Sequence, residues 1–325
     1  MRIVFFGSGA FGLPTLIALH EKHDVVLVVS QPDRPAGRKR KLTPTPIAAW
    51  AQEQNLPLIK PENVNQPDIL EQIQAARADA NVVVAFGQKV SQPLIDSPRL
   101  GPTATVNLHA SLLPRYRGAA PINWAMIEGE KETGNTVFAL VEKMDAGDML
   151  GQQATPIDPL ETVGELHDRL AALGPDLVLR VLNDLEQGTA QPQPQDAARK
   201  TIAPKLSKAD AWVDFAAPAE AVRNRIHGLT PWPGVRTKYR RPNETETHDL
   251  LLRRVEVITA QGEPGTMNAD GIIATGSSGG ASGGGGGVAL LEVQPPGKRA
   301  MSWSDFQKGH NLPIGTRFES GPTEA

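Results

Sequence analysis

Apolar positions in the first half of the chain follow two alternating rhythms. Unbroken runs at Arg2-Ile3-Val4-Phe5-Phe6, Val25–Val29 and Val82–Phe86 end at glycine or polar residues, as strands buried on both faces of a parallel sheet do. Between them, apolar and alanine residues recur at helical spacing from Pro46 to Gln54 and from Pro67 to Ala76. In the second of these, Ile69, Leu70 and Ile73 share one face. Leu56–Ile59, Thr105–Leu108, Asn135–Val141 and Met149–Thr155 read as further strands, and Pro121–Ile127 as a helix. Thr162-Val163-Gly164-Glu165 has the form of a capping box and opens a long helix to about Gln187, which Gly188 stops. The alternation predicts an α/β fold with right-handed crossovers: a Rossmann-like, mostly parallel sheet flanked by helices.

After Gly188 the rhythm breaks. Gln191-Pro192-Gln193-Pro194-Gln195 has no periodicity and reads as a linker. A helical turn around Glu220 to Ile226 precedes short strands at Val235–Tyr239, Leu250–Ile258, Ile272–Thr275 and Val288–Val293, a pattern that predicts a small barrel. Gly276 to Gly287 is a glycine- and serine-rich stretch, read as a hairpin insertion without chemistry. The expected organisation is a domain over 1–188, a linker over 189–205, a second domain over 206–318 and a tail over 319–325.

Composition narrows the class. The 325 residues include no cysteine, which excludes disulfides, thiolate metal sites and a cysteine nucleophile. No metal is expected. A strand-like start without a charged-then-apolar leader, and no apolar run near bilayer length, predict a cytoplasmic protein with no membrane partner. Net charge is −3, with 19 basic against 23 acidic residues over 1–204 and 14 against 13 beyond. Contact with nucleic acid must therefore come from local patches. The densest patch is the loop 31–46. Five of its residues 34–41 are Lys or Arg, and prolines at 32, 35, 44 and 46 predict irregular backbone. A cationic loop beside a sheet suits a phosphate-rich substrate.

Two motifs carry candidate chemistry. Gly7-Ser8-Gly9-Ala10-Phe11-Gly12 matches GxGxxG after a strand, which suggests a dinucleotide pyrophosphate. The next strand, however, ends in Ser30-Gln31, where a ribose-binding acid is required. The competing reading is a tight glycine turn between strand and helix. The second motif is Asn107-Leu108-His109. Alternate strand residues share a face, so an amide and an imidazole stand together at a strand end. With Asp145 they form a set suited to acyl transfer to an amine, where negative charge builds on oxygen and protons leave nitrogen.

Asn107-Leu108-His109-Ala110-Ser111-Leu112-Leu113-Pro114, with Arg117-Gly118-Ala119-Ala120-Pro121 and Asp145-Ala146-Gly147-Asp148, resembles the 10-formyltetrahydrofolate-dependent formyltransferases. The resemblance runs from Arg2 to about Phe318, with the glycine-rich stretch as the main gap and Gly7–Gly12 as a mild departure. It implies a formyltransferase fold followed by an OB-like barrel, and Asn107, His109 and Asp145 as catalytic residues. Asp145 is then expected to orient the imidazole. Ser111, Leu112, Leu113 and Pro114 would contact the folate, with Phe86, Gly87 and Gln88 near the pterin. The basic loop resembles an insertion in the branch of the family that acts on methionyl-tRNA, which makes Arg38, Lys39, Arg40 and Lys41 the expected tRNA contacts. Basic clusters at Arg236, Lys238, Arg240 and Arg241, at Arg253 and Arg254, and at Lys298 and Arg299 are further candidates. The implied reaction moves the formyl group of 10-formyltetrahydrofolate to the α-amino group of initiator methionyl-tRNA, catalysed by a monomer. The alternatives are another amine, on an amino-sugar nucleotide or glycinamide ribonucleotide, an NAD(P)-dependent oxidoreductase using Gly7–Gly12, or a non-catalytic RNA-binding module using the barrel alone, which would leave Asn107, His109 and Asp145 unexplained.

Overall fold

The computed structural model describes residues 1–37, 41–277 and 285–321, and the chain divides into two compact units. The first is made of Met1–Gly118, Thr133–Thr155 and His167–Ala203; the second of Ala119–Glu132, Pro156–Leu166 and everything from Pro204.

In the first unit seven strands form one sheet: β1 (Arg2–Gly7), β2 (Asp24–Val29), β3 (Leu58–Ile59), β4 (Ala80–Val84), β5 (Thr105–His109), β6 (Glu132–Ala139) and β7 (Met149–Pro156). Their order is β7-β6-β5-β4-β1-β2-β3. β3, β2, β1, β4 and β5 run parallel, and β6 pairs antiparallel with β5. The chain leaves β1 first to one side and then to the other, so the topological switch lies between β1 and β4, where such sheets hold ligands beyond the strand ends. Both faces of β1 are covered. Val4 and Phe6 pack with Leu27, Val29, Val83 and Ile73, while Ile3 and Phe5 are buried on the opposite face.

Two predicted elements are corrected here. The expected strand at Val82–Phe86 spans Ala80–Val84. Asn81 interrupts the apolar run, but its amide is buried and donates to Leu94 O, Ser97 Oγ and Thr105 Oγ1, so the strand passes through it. Ala85, left-handed at φ 46°, ends it. The basic loop is also more regular than its prolines suggested. Arg34–Ala36 pairs antiparallel with Lys41–Thr43 as a two-stranded ribbon, an edge setting that tolerates Pro35.

The glycine motif packs tightly. A Cβ on Gly7 would lie 2.5 Å from the Phe5 ring, and one on Gly12 3.1 Å from Val84 Cβ. Gly9 N donates to Ala85 O at 3.2 Å, so an amide that a pyrophosphate would need is already used. The close-packed turn is the reading these contacts support, against the nicotinamide alternative.

The second unit is built on an antiparallel sheet of β8 (Val235–Arg240), β9 (His248–Thr259), β10 (Ile272–Thr275), β11 (Gly286–Gln294), β12 (Met301–Ser302) and β13 (Arg317–Phe318), ordered β10-β11-β9-β8-β13 with β12 beside β11. The segment 265–267 bridges the two edges. Gly265 N donates to Ala274 O, Phe318 N to Gly265 O and Met267 N to Thr316 O, which closes the sheet into a barrel. Its core joins Val235, Leu252, Val255, Ile273 and Val288 with Val222 and Ile226 from the helix Ala219–Gly228. β11 starts inside the glycine-rich stretch, and the packing there requires glycine: a Cβ on Gly287 would meet Ala260 Cβ at 2.6 Å. Residues 278–284 of that stretch and 322–325 of the expected tail lie outside the described residues. The helix Trp303–His310 was not predicted. It is capped by Ser302, whose Oγ accepts from Asp305 N at 3.1 Å, and Phe306 is its buried residue. No helix among the described residues is long and apolar enough to cross a membrane.

Candidate active site

β5 carries Asn107 and His109 to its C-terminal end, in register with Phe138 and Thr136 of β6. The two side chains share a face, as their spacing predicts. His109 is 8% exposed, and its ring lies edge-on to Phe138 at 6.5 Å. Nε2 is 2.9 Å from Tyr116 O. A carbonyl only accepts, so Nε2 carries the proton, and in the neutral ring Nδ1 is the bare nitrogen. No partner for Nδ1 occurs among the described residues.

Asp145 reaches the same neighbourhood by a different contact. Its Oδ2 accepts from Gly118 N at 2.8 Å. The ring and the carboxylate are thus both fastened to the segment Tyr116–Gly118, but not to each other. The resemblance expects Asp145 to orient the imidazole; here a main-chain carbonyl does so, in a turn made possible by left-handed Tyr116 at φ 59°. Asp145 is itself left-handed at φ 47°, a conformation that Asp tolerates better than most residues.

The turn Ser111–Pro114 is held from β6 and β7. Thr136 Oγ1 donates to Ser111 O at 2.6 Å and accepts from Leu113 N at 3.1 Å. Gln152 Nε2 donates to Leu113 O at 2.9 Å and to Thr136 Oγ1 at 2.8 Å. Ser111 Oγ donates to Arg115 O, Leu113 and Pro114 are buried, and Leu112 is half-buried. At the end of β4 the ring of Phe86 is turned into the core against Phe6, and Phe86 O accepts from Ser8 Oγ and Gln31 Nε2. Gln88 is committed to Val64 N and Pro61 O. Gly87 is exposed at φ 82°, with no hydrogen-bond partner for its peptide groups among the described residues.

Sequence reasoning missed three residues. Gln195, within the expected linker, binds Arg117 and the main chain of the Asp145 loop. Thr201 Oγ1 accepts from Tyr116 N, and Thr136 ties down the Ser111 turn. Gln195 and Thr201 follow the last long helix, where nothing in the local pattern marks a return to the sheet.

The basic candidates divide. Arg38, Lys39 and Arg40 lie outside the described residues; Lys41 is exposed in the ribbon. On β8, Arg236 and Arg240 face outward with half-buried Lys238 between them, while Val235, Thr237 and Tyr239 point into the barrel. Arg253 instead donates to Gln294 Oε1 and Pro231 O. Arg254 pairs with Glu165 at 2.7 Å and holds that carboxyl well below its usual range, at about 2. His227, also in the second unit, is buried. Burial first, then Arg223 and Arg254, lowers its pKa to about 4, and its Nε2 accepts from Val255 N at 3.0 Å.

An open α/β sheet that presents an amide, an imidazole and a carboxylate at neighbouring strand ends has the equipment for acyl-group transfer. A model of the formyl transferase family matches residues 1–182, and one of the formyl transferase C-terminal domain matches residues 205–311. The chain belongs to the formyl transferase family. It is 41% identical over 322 residues to the methionyl-tRNA formyltransferase of Geobacter metallireducens, covering 98% of both chains. Identity to the methionyl-tRNA formyltransferase of Staphylococcus epidermidis is 38%, over 95% of this chain and 96% of that one. The fold is similar to that of the N-formyltransferase from Helicobacter canadensis, solved with folinic acid and dTDP-3-aminofucose. That match has a TM-score of 0.64 at 14% identity, over 89% of this chain and 99% of that one.

Proposed function

We propose that this chain transfers the formyl group of 10-formyltetrahydrofolate to the α-amino group of methionine on the initiator tRNA, in the cytoplasm and in support of translation initiation. The observation that carries the reading is the buried His109 ring, fixed through Nε2 with Nδ1 left bare, on the same strand face as Asn107. Near-full-length identity to enzymes named for methionyl-tRNA supports the choice of acceptor.

Asn107 donates a hydrogen bond to the formyl oxygen as negative charge builds on it. Nδ1 of His109 exchanges a proton with the reacting centre, since Nε2 is occupied by Tyr116 O. Asp145, held by Gly118 N, receives the proton leaving the amine through a water. The amine nitrogen bonds to the formyl carbon. As the tetrahedral intermediate collapses, the bond from that carbon to folate N10 breaks, and N10 leaves carrying a proton in place of the one the amine gave up. The residues at the strand ends fit such a donor. Gly87 offers an exposed N–H and C=O to a ring edge of donors and acceptors, and the Ser111–Pro114 turn is held rigidly beside the catalytic strand. Arg38, Lys39, Arg40 and Lys41 contact the tRNA, together with the outward cations of β8. We place the catalytic domain at 1–188 and the tRNA-binding domain at 206–318, joined by 189–205.

The direct test is transfer of labelled formyl from 10-formyltetrahydrofolate to initiator Met-tRNA, compared with elongator Met-tRNA and a nucleotide-linked amino sugar. Preference for the initiator is expected. Transfer to the amino sugar alone would overturn the reading.

A further inference from the structure

The polar connector after the helix Val163–Glu186 supplies a side chain on which the Asp145 loop depends. Gln195 Nε2 donates to Asp145 O at 2.9 Å and to Gly147 O at 2.7 Å. Its Oε1 accepts from Arg117 Nε at 3.1 Å and Nη2 at 2.6 Å. The orientation of this amide is determined by its partners. A guanidinium only donates and a carbonyl only accepts, so a flipped amide would oppose like groups at all four contacts. Arg117 is 6% exposed and spends both of these donors on Gln195.

The loop it holds is under constraint. Asp145 is left-handed, and a Cβ on Gly147 would lie 1.7 Å from Ala139 O, so the backbone is pressed against β6. The Arg117–Gly118 pair then grips the loop twice: Gly118 N binds the carboxylate, and Arg117, through Gln195, binds the peptides that carry it.

We propose that Gln195 is a positioning residue for formyl transfer, fixing the Asp145 carboxylate relative to Asn107 and His109. The inference rests on the reaction read above. Gln195 acts only through the loop. Its replacement should therefore lower turnover while leaving the affinity for both substrates nearly unchanged, since small misplacements cost rate steeply.

The full-length protein, Gln195→Ala, Gln195→Glu and the connector control Gln191→Ala, an exposed position, decide the matter. Gln195→Glu keeps the shape and the Arg117 contact, so folding is retained. Once ionised, it sets a carboxylate oxygen against two carbonyls; protonated, it regains one donor. For Gln195→Ala we expect kcat lower by about 10–100-fold with both KM values within about 3-fold. For Gln195→Glu we expect a kcat that recovers as pH falls from 8 to 5.5 relative to the wild type, a profile that lost packing does not produce. Hydrogen exchange at residues 143–148 should quicken in both variants and stay unchanged in Gln191→Ala. Wild-type kcat in both Gln195 variants, or reduced kcat with undisturbed loop exchange, overturns the proposal. If the wild-type protein transfers no formyl group, the reaction assigned above fails instead. Loop exchange in Gln195→Ala still decides the clamp: faster exchange upholds it and unchanged exchange overturns it.

Discussion

His109 and Asp145 are fastened to the two ends of one three-residue segment: Nε2 of the imidazole to Tyr116 O at 2.9 Å, and Oδ2 of the carboxylate to Gly118 N at 2.8 Å. The backbone between them sets their separation, so each side chain can be altered without releasing the other.

That independence extends to Asn107, the proposed oxyanion donor on the same strand face. Asn107→Ala should lower kcat by ~10²–10³ with little change in either KM, the cost of one lost donor at a developing oxyanion. Steady-state formylation kinetics check this. A rate near that of the wild type would place the donor elsewhere.

The basic loop 31–46 makes a prediction in salt. Replacing Arg38, Lys39, Arg40 and Lys41 by glutamine should raise the KM for charged tRNA and flatten its dependence on salt, because fewer counterions are released on binding. The KM for the folate should not move. Titration at several salt concentrations separates these outcomes, and an unchanged slope removes these four residues from the tRNA footprint.

Thr136 is fully buried and takes part in three hydrogen bonds, with Ser111 O, Leu113 N and Gln152 Nε2. Thr136→Val keeps the volume and removes all three bonds, leaving Ser111 O and Leu113 N without this partner while Gln152 Nε2 keeps Leu113 O. The expected loss is roughly 2–4 kcal/mol of stability, with a raised KM for 10-formyltetrahydrofolate as the Ser111–Pro114 turn loosens. Urea unfolding and folate kinetics on one preparation measure both; stability unchanged would show that water replaces the hydroxyl.

His227 gives the second unit a stability that depends on pH. Its folded pKa of about 4 lies below the ordinary 6.5, so between these values the unfolded chain binds a proton that the fold refuses. The contribution is complete above about pH 6.5 and lost as pH falls towards 4, amounting to roughly 3 kcal/mol. Protonation also sets two donors against each other, Nε2–H and the Val255 N–H. Denaturant unfolding at pH 7.5 and 5.0 should show the loss, and His227→Gln should flatten it. An equal slope in that variant would assign the effect to other groups.

What the sequence revealed is what neighbouring residues decide. The period of two at Asn107 and His109, the apolar runs of β1 and β2 and the four longer barrel strands are all local patterns, and each lies within a residue or two of its predicted place; the two-residue strands β12 and β13 are too short to carry a period and were not predicted. Contacts across the fold were hidden. Asn81 falls outside the predicted strand, and the three acceptors of its Nδ2 come from elsewhere in the chain. Gln195 looked like spacer because glutamine among prolines carries no periodicity, although its amide is used on both sides. GxGxxG was ambiguous for the same reason: Phe5, Val84 and Ala85 fill the space around it, and only the folded chain shows them there.

Ile202 and Ala203 run parallel to Arg117 and Gly118 as a two-stranded pair. A truncated protein that stops at Gly188 would therefore leave that edge bare, and bare strand edges recruit strands from other molecules. Such a fragment should clump more readily than one carried through Ala203, which keeps that edge paired.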